Sequence, residues 1–282
     1  MSVALLAAAL IDELGAGPVF VHSDPYRAAP LVPATRDRKV FLDSHIALLR
    51  EISAGRQLLS PAFNYDFPRT HVFDVESDPA QLGPIPEHFR EAVAEWRTHV
   101  PIFSVAGLGE APEISWGDRT DPFGPDSIFA WLVRHDAVIL YYGGTFHYNT
   151  IVHHAERLTG GPLYRYDKIF EGDVRSESKD IEHGSLNYHV RPLNTGLDYD
   201  WSRLLEKALD AGVCRRLENH PQILAASARA LCESWVGAMQ RDPLALLDAP
   251  TLAWVRPRLD ELGRRFQIGD FEPQTSTVVG TA

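Results

Sequence analysis

A single α/β domain, with a central mixed sheet flanked by helices, a small antiparallel subregion and a helical C-terminal part, is predicted by three observations. Short apolar runs rich in β-branched and aromatic residues, such as Asp136–Tyr142, end in glycines, the pattern of strands buried on both faces. Longer segments with helical periodicity and start signals alternate with them. The chain has 282 residues and 45% hydrophobic content, enough for a full core, and no repeat or low-complexity linker divides it. The domain is placed at residues 1–269, and the Pro-, Ser- and Thr-containing stretch 270–282 reads as a loosely held tail.

Taken in order, Val3–Ile11 reads as an amphipathic helix; no basic residue precedes it and Asp12-Glu13 follow, which argues against a signal peptide. Pro18–Asp24 is a strand that presents His22, Ser23 and Asp24 at its carboxyl end, the edge where open α/β sheets hold ligands. A helix over Arg38–Ala54 leads to a second strand from Gln57, ended by Pro61 and followed by an aromatic loop with Tyr65 and Asp66. Pro86–Trp96 has the proline and acids of a helix N-terminus, and Arg97–Gly109 reads as one strand. Residues 111–124 form a loop, and Asp126–Arg134 a helix. The stretch 162–197, rich in Tyr, His and Arg, suggests short antiparallel strands; Trp201–Leu209, Pro221–Arg241 and Leu252–Phe266 read as helices.

The charge balance narrows the function. Twenty-seven Lys and Arg face 38 Asp and Glu, a net −11, so no bulk field attracts nucleic acid or anionic lipid, whereas a cationic small molecule is welcome. No apolar run reaches the roughly 18 residues of a membrane span. Cys214 and Cys232, placed in one helical region without Cys-x-x-Cys spacing, speak against a disulfide framework or structural zinc and fit a reducing cytoplasm.

The most informative stretch is Tyr142–Glu156, which passes from a strand through Gly143-Gly144 to a helix capped at Asn149 or Thr150. On that helix His153 and Glu156 share a face, so the carboxylate can hold the imidazole, while His154 points elsewhere.

Several segments together resemble the antibiotic N-acetyltransferase family, best known for the aminoglycoside 3-N-acetyltransferases. Its Val-His-Ser strand end appears as Val21-His22-Ser23, its Pro-Thr-Phe-x-Tyr as Pro61–Tyr65 with one change, and its Glu-x-Phe-Arg as Glu87–Arg90. Its Arg-Ser-x-His-Pro-x-x-Ser-Val-Ala stretch corresponds to Arg97–Ala106, and its Asn-Thr-Thr-x-His-x-x-Glu signature to Asn149–Glu156. The chain departs from the pattern at Asp24-Pro25, at Val100 in place of a histidine, and at Ile151 in place of the second threonine.

The resemblance implies acetyl transfer from acetyl-CoA, without metal, to a primary amine of an aminoglycoside or related amino sugar. A small biosynthetic amine or a surface-polysaccharide amino sugar is the alternative acceptor, and a homodimer is left open. His153 would act as general base, Glu156 as its orienter, and Thr150 with Asn149 as the oxyanion turn. Coenzyme A would lie along His22, Ser23, Arg97, Ser104 and Val105, and the amine would enter near Tyr65, Asp66 and Glu87. The same residues have plainer uses: His22-Ser23 can cap a helix, Ser104 can be a core hydroxyl, Arg97 a surface ion-pair partner, and Glu87 can answer the helix dipole. Two other classes compete: a metal-dependent hydrolase using His147, His153, Glu156, His183 and His189, and a non-catalytic binding relative.

Overall fold

The computed structural model describes residues 2–177, 181–193 and 195–272. Ten strands are present among them: β1 (Val19–Ser23), β2 (Leu58–Pro61), β3 (Val72–Asp74), β4 (Trp96–Arg97), β5 (Val105–Gly107), β6 (Val138–Tyr142), β7 (Tyr166–Arg175), β8 (Ile181–Val190), β9 (Cys214–Arg216) and β10 (Ile223–Ser227). Seven form a mixed sheet in the order β4-β5-β2-β1-β6-β10-β9, and β3, β7 and β8 form a second, smaller sheet. The three central strands β2, β1 and β6 run parallel, and their flanks are antiparallel. The α/β class, the mixed sheet and the antiparallel subregion expected from the sequence are all present.

Strand alternation divides the core into two layers. Phe20, Leu59, Ile139, Tyr141 and Leu224 face the helices Ile128–Arg134, Ile151–Leu158 and Ala228–Arg241. Val19, Val21, Leu58, Val138, Leu140 and Tyr142 face Val3–Asp12, Arg38–Ser53 and Pro84–Ala92. With a helical layer on each side, every residue of β6 is buried, which is why its sequence is a continuous apolar run. His22 shares the face of Phe20 and pairs in register with Tyr141, so it looks toward the layer that carries His153.

The helix expected over Pro86–Trp96 spans Pro84–Ala92, with Trp96 in β4, and three further segments differ from the expected elements. Arg97–Gly109 is two antiparallel strands, because the chain reverses through Val100–Ser104, where Ile102 adopts φ 65° and its carbonyl is bonded by the Asn64 amide. The segment 221–241 begins with β10, whose Ile-Leu-Ala-Ala-Ser run is equally compatible with strand and helix; only Ala228–Arg241 is helical. Cys214 therefore lies in β9 and Cys232 in a helix, both buried free thiols. The antiparallel strands of 162–197 are not short: β7 and β8 form one hairpin of ten residues a side. Of the expected tail, Asp270 ends a 3-10 turn and Glu272 bonds the Tyr166 hydroxyl and Lys168; residues 273–282 lie outside the described residues. No described helix is long and apolar enough to cross a membrane.

The turn after β6 requires glycine. Gly143 and Gly144 have φ of 113° and 72°, and a Cβ on Gly144 would meet the Pro221 carbonyl at 2.7 Å. Gly144→Ala is expected to lower unfolding free energy by about 1–3 kcal/mol, read by urea denaturation.

Candidate active site

The carboxyl ends of β1 and β2 and the turn after β6 open on one cavity of about 480 Å³, lined by His22–Tyr26, Pro61, Gly83, Pro84, Asn149, Thr150 and His153 among others. A second cavity of about 680 Å³ lies between this edge and the β7-β8 hairpin. Tyr65, His147, His153 and Trp201 line both. His153 therefore stands where the two spaces meet.

Its position follows from local structure. The Gly-Gly turn and a 3-10 turn over Phe146–Tyr148 bring the chain to Thr150, where the helix Ile151–Leu158 starts. The Thr150 side chain makes no capping bond, and the Ile151 amide opens the helix, so a hydroxyl and a first-turn N–H stand at this helix start. Asn149 donates to the Tyr141 hydroxyl and leaves its Oδ1 buried without a partner among the described residues.

One turn into the helix, His153 Nδ1 lies 2.9 Å from Glu156 Oε2. A carboxylate can only accept, so Nδ1 carries the proton and Nε2 keeps its lone pair. Glu156 is fully buried and is itself held from all sides. His189 Nε2 donates to Oε2 at 2.9 Å; Tyr164 and Tyr199 hydroxyls donate to Oε1 at 2.8 and 2.5 Å. Arg165 Nε lies 3.4 Å from Oε1 and the same guanidinium bonds the Tyr199 hydroxyl.

Burial alone would raise the Glu156 pKa, but the Arg165 charge and the bonds from His153 and His189 hold it well below the usual carboxylate range. Burial lowers His153 to about 4, opposed by Glu156, and lowers His189 as well. About a quarter of the His153 side chain is reachable from the cavities, so solvent there softens the lowering. Both imidazoles are neutral near pH 7.

The sequence-predicted residues separate into two groups. His22, Ser23, Tyr65, Asn149, Thr150 and His153 line a cavity, with His22 Nε2 and Ser23 Oγ buried and unpartnered among the described residues; Glu156 stands directly behind His153. Arg97, Ser104, Val105, Asp66 and Glu87 line neither cavity. Arg97 donates to the carbonyls of Ala62, Val75 and Asp78 and to Ser104 Oγ, and Ser104 donates to Ala62. Val105 is buried in β5. Arg97 and Ser104 thus tie Ala62, Val75 and Asp78 to the β4-β5 hairpin. Glu87 accepts from the Ala80 amide and from Arg90, and Asp66 from Arg69 and Gln81, so their carboxylates bind protein groups. His154 points away, to the Phe123 carbonyl at 2.7 Å.

Tyr164, Arg165 and Tyr199 were not singled out from the sequence. For Tyr164 and Arg165 the available signal is the concentration of Tyr, His and Arg over 162–197, which a buried carboxylate would need as donors; Tyr199 lies just beyond that stretch. Of the proposed metal-ligand set, His153, Glu156 and His189 do meet, with ligand-type atoms within 4.8 Å of one another. His183 pairs with Asp173 and His147 is exposed.

Comparison with known proteins agrees with this architecture. The family described as aminoglycoside 3-N-acetyltransferase matches residues 52–234, more than half of the chain. Aminoglycoside N(3)-acetyltransferase VII of Streptomyces paromomycinus is 36% identical over 86 residues, spanning 30% of this chain and 30% of that protein. Among solved structures, AAC-IIIb in a binary complex with CoASH superposes with a TM-score of 0.64 at 21% identity, over 84% of this chain and 96% of that one. The aminoglycoside acetyltransferase AAC(3)-Xa gives 0.64 at 18%, over 86% and 93%, and AAC-VIa bound to sisomicin 0.61 at 15%, over 83% and 96%. At these identities the superpositions establish a shared fold.

The buried imidazoles set a pH dependence. His22 and His153, lowered by burial to about 3 and about 4, bind protons in the unfolded chain near pH 6.5 but not in the folded one. Stability is thus fully present above pH 6.5 and lost as pH falls through that value toward 4. Urea midpoints are expected to drop across this window, with a shallower slope in His22→Asn; a flat profile between pH 7 and 4.5 would contradict the assignment.

Proposed function

The chain belongs to the aminoglycoside 3-N-acetyltransferase family, and on that premise we propose that it transfers an acetyl group from acetyl-CoA to a primary amine of an amino sugar, the class that includes the aminoglycosides. The single observation that carries this reading is the His153–Glu156 pair at the junction of two cavities. One space suits a donor and the other an acceptor, with a base between them. Relatives offer support in kind: AAC-IIIb binds CoASH and AAC-VIa binds sisomicin.

On the donor side, the unpartnered His22 Nε2, Ser23 Oγ and Asn149 Oδ1 fit the alternating amide donors and acceptors of a pantetheine arm. When bound, acetyl-CoA supplies the acyl carbon and a thiol leaving group. His153 Nε2 takes the proton that the amine loses as the C–N bond forms, and hands it to the departing sulfur. Glu156 holds Nδ1–H and stabilises the imidazolium while that proton is resident. The Thr150 hydroxyl and the Ile151 amide are the donors we assign to the acyl oxygen. No serine or cysteine nucleophile enters the scheme.

A second reading draws on the 4.8 Å cluster of His153, Glu156 and His189, which has the ligand types of a metal site. Against it, Glu156 Oε2 already takes both imidazole N–H bonds, and the Arg165 cation stands at the other oxygen. Metal analysis of dialysed protein separates the two: stoichiometric zinc or iron would favour the hydrolase.

His153→Ala is expected to lower kcat/KM for acetyl transfer by about 10²- to 10⁴-fold, measured as thiol release over an amine panel, with acetyl-CoA binding retained by calorimetry. Near-normal turnover in that variant would refute the base assignment.

A further inference from the structure

Resting on the acetyl-transfer reading, we propose that the acceptor amine also carries an anionic group, a carboxylate or a phosphate, and that Arg191 at the wall of the second cavity recognises it. The charges that line this cavity run against the chain's overall balance of −11. Arg165, Lys168 and Arg191 face only Asp198 and Glu272.

Most of these groups are already committed. Arg165 is held by Glu156 and Tyr199. Lys168 is paired with both oxygens of Glu272 at 2.8 and 2.7 Å. Asp198 Oδ1 accepts from the Tyr199 amide and Trp201 Nε1. Arg191 is exposed and makes no hydrogen bond or ion pair among the described residues. Its charge nevertheless reaches the cavity wall, where burial raises the Tyr65 and Tyr188 hydroxyls and Arg191 opposes the rise in each.

A polycationic acceptor would therefore bring several ammonium groups to a space with one incompletely used carboxylate and one free guanidinium. Desolvated ammonium groups without partners are costly, and a like charge adds repulsion. Asp66 and Glu87, the carboxylates expected to hold such groups, bind protein groups elsewhere. A molecule with one amine and one anion satisfies the cavity better: the amine at His153, the anion on the bidentate donor fork of Arg191. The same cavity has an aromatic wall suited to a ring: Phe103, Phe170 and Tyr188 line it, with Tyr188 5.0 Å from Phe103 and stacked on Phe170.

The test uses the full chain, acetyl-CoA and four acceptors: glucosamine, glucosamine 6-phosphate, the corresponding amino-uronic acid, and a polycationic aminoglycoside. Thiol release is expected to show at least one anionic amine preferred over glucosamine by about 10-fold or more in kcat/KM, carried by KM. The ranking of phosphate against carboxylate identifies the source of the anion. Arg191→Gln is expected to collapse the preference, and Arg191→Glu to shift it toward the aminoglycoside. An aminoglycoside preferred by the unaltered protein, or an anion preference unmoved in Arg191→Gln, overturns the proposal. Calorimetry on CoA-loaded protein separates the two levels. Arg191-dependent binding of anionic amines without any acetylation sinks the acetyl-transfer reading and leaves anion recognition standing; acetylation with no anion preference does the reverse.

Discussion

The structure around the site depends on one buried carboxylate. Glu156 has no exposed surface, and an ion so placed costs several kcal/mol unless its lone pairs are filled. Here Arg165 supplies the countercharge, and His153, His189, Tyr164 and Tyr199 fill both oxygens. These donors come from the helix Ile151–Leu158, from the segment before β7, from β8, and from the stretch before Trp201. One side chain thus ties the second sheet and the C-terminal part to the helix that carries the base. It also selects the His153 tautomer, because an acceptor at Nδ1 requires the proton there.

The main sheet determines where that helix can act. Three parallel strands place their carboxyl ends along one edge, and the Gly143-Gly144 turn redirects the chain across it. Alternation in β1 and β6 turns His22 and Tyr141 to the face of helix Ile151–Leu158. The β7-β8 hairpin then covers the other side, and its inward His189 reaches Glu156 while Tyr188 and Phe170 wall the second cavity. The first cavity opens at the sheet edge itself, and the second is the gap between that edge and the hairpin.

What was legible in the sequence is what depends on short spacing. The run Val138–Tyr142, the glycine pair and the i,i+3 spacing of His153 and Glu156 carry their geometry within a few residues, because strand and helix periods fix which side chains share a face. Arg97, Ser104 and Glu87 show the opposite case. A motif places them in order, but whether an Arg meets a phosphate or three backbone carbonyls depends on the segment 62–78 that comes to lie against it. The same holds for Tyr164, Arg165 and Tyr199, whose common partner lies 8, 9 and 43 residues away in the chain. Ile102 in a left-handed conformation breaks a segment that otherwise reads as one strand, and β10 is too short and too alanine-rich for periodicity to separate it from the helix that follows.

The central claim is that burial keeps His153 neutral at physiological pH while Glu156 fixes its proton on Nδ1 and leaves the Nε2 lone pair at the junction of the cavities. Long-range ¹H–¹⁵N correlation of histidine-labelled protein measures this directly, with His153→Gln to assign the signal. The account predicts a neutral Nδ1–H tautomer at pH 7 that takes up a second proton only well below the ordinary histidine pKa of about 6.5. A His153 that is already an imidazolium at pH 7, or that carries its proton on Nε2, would contradict it.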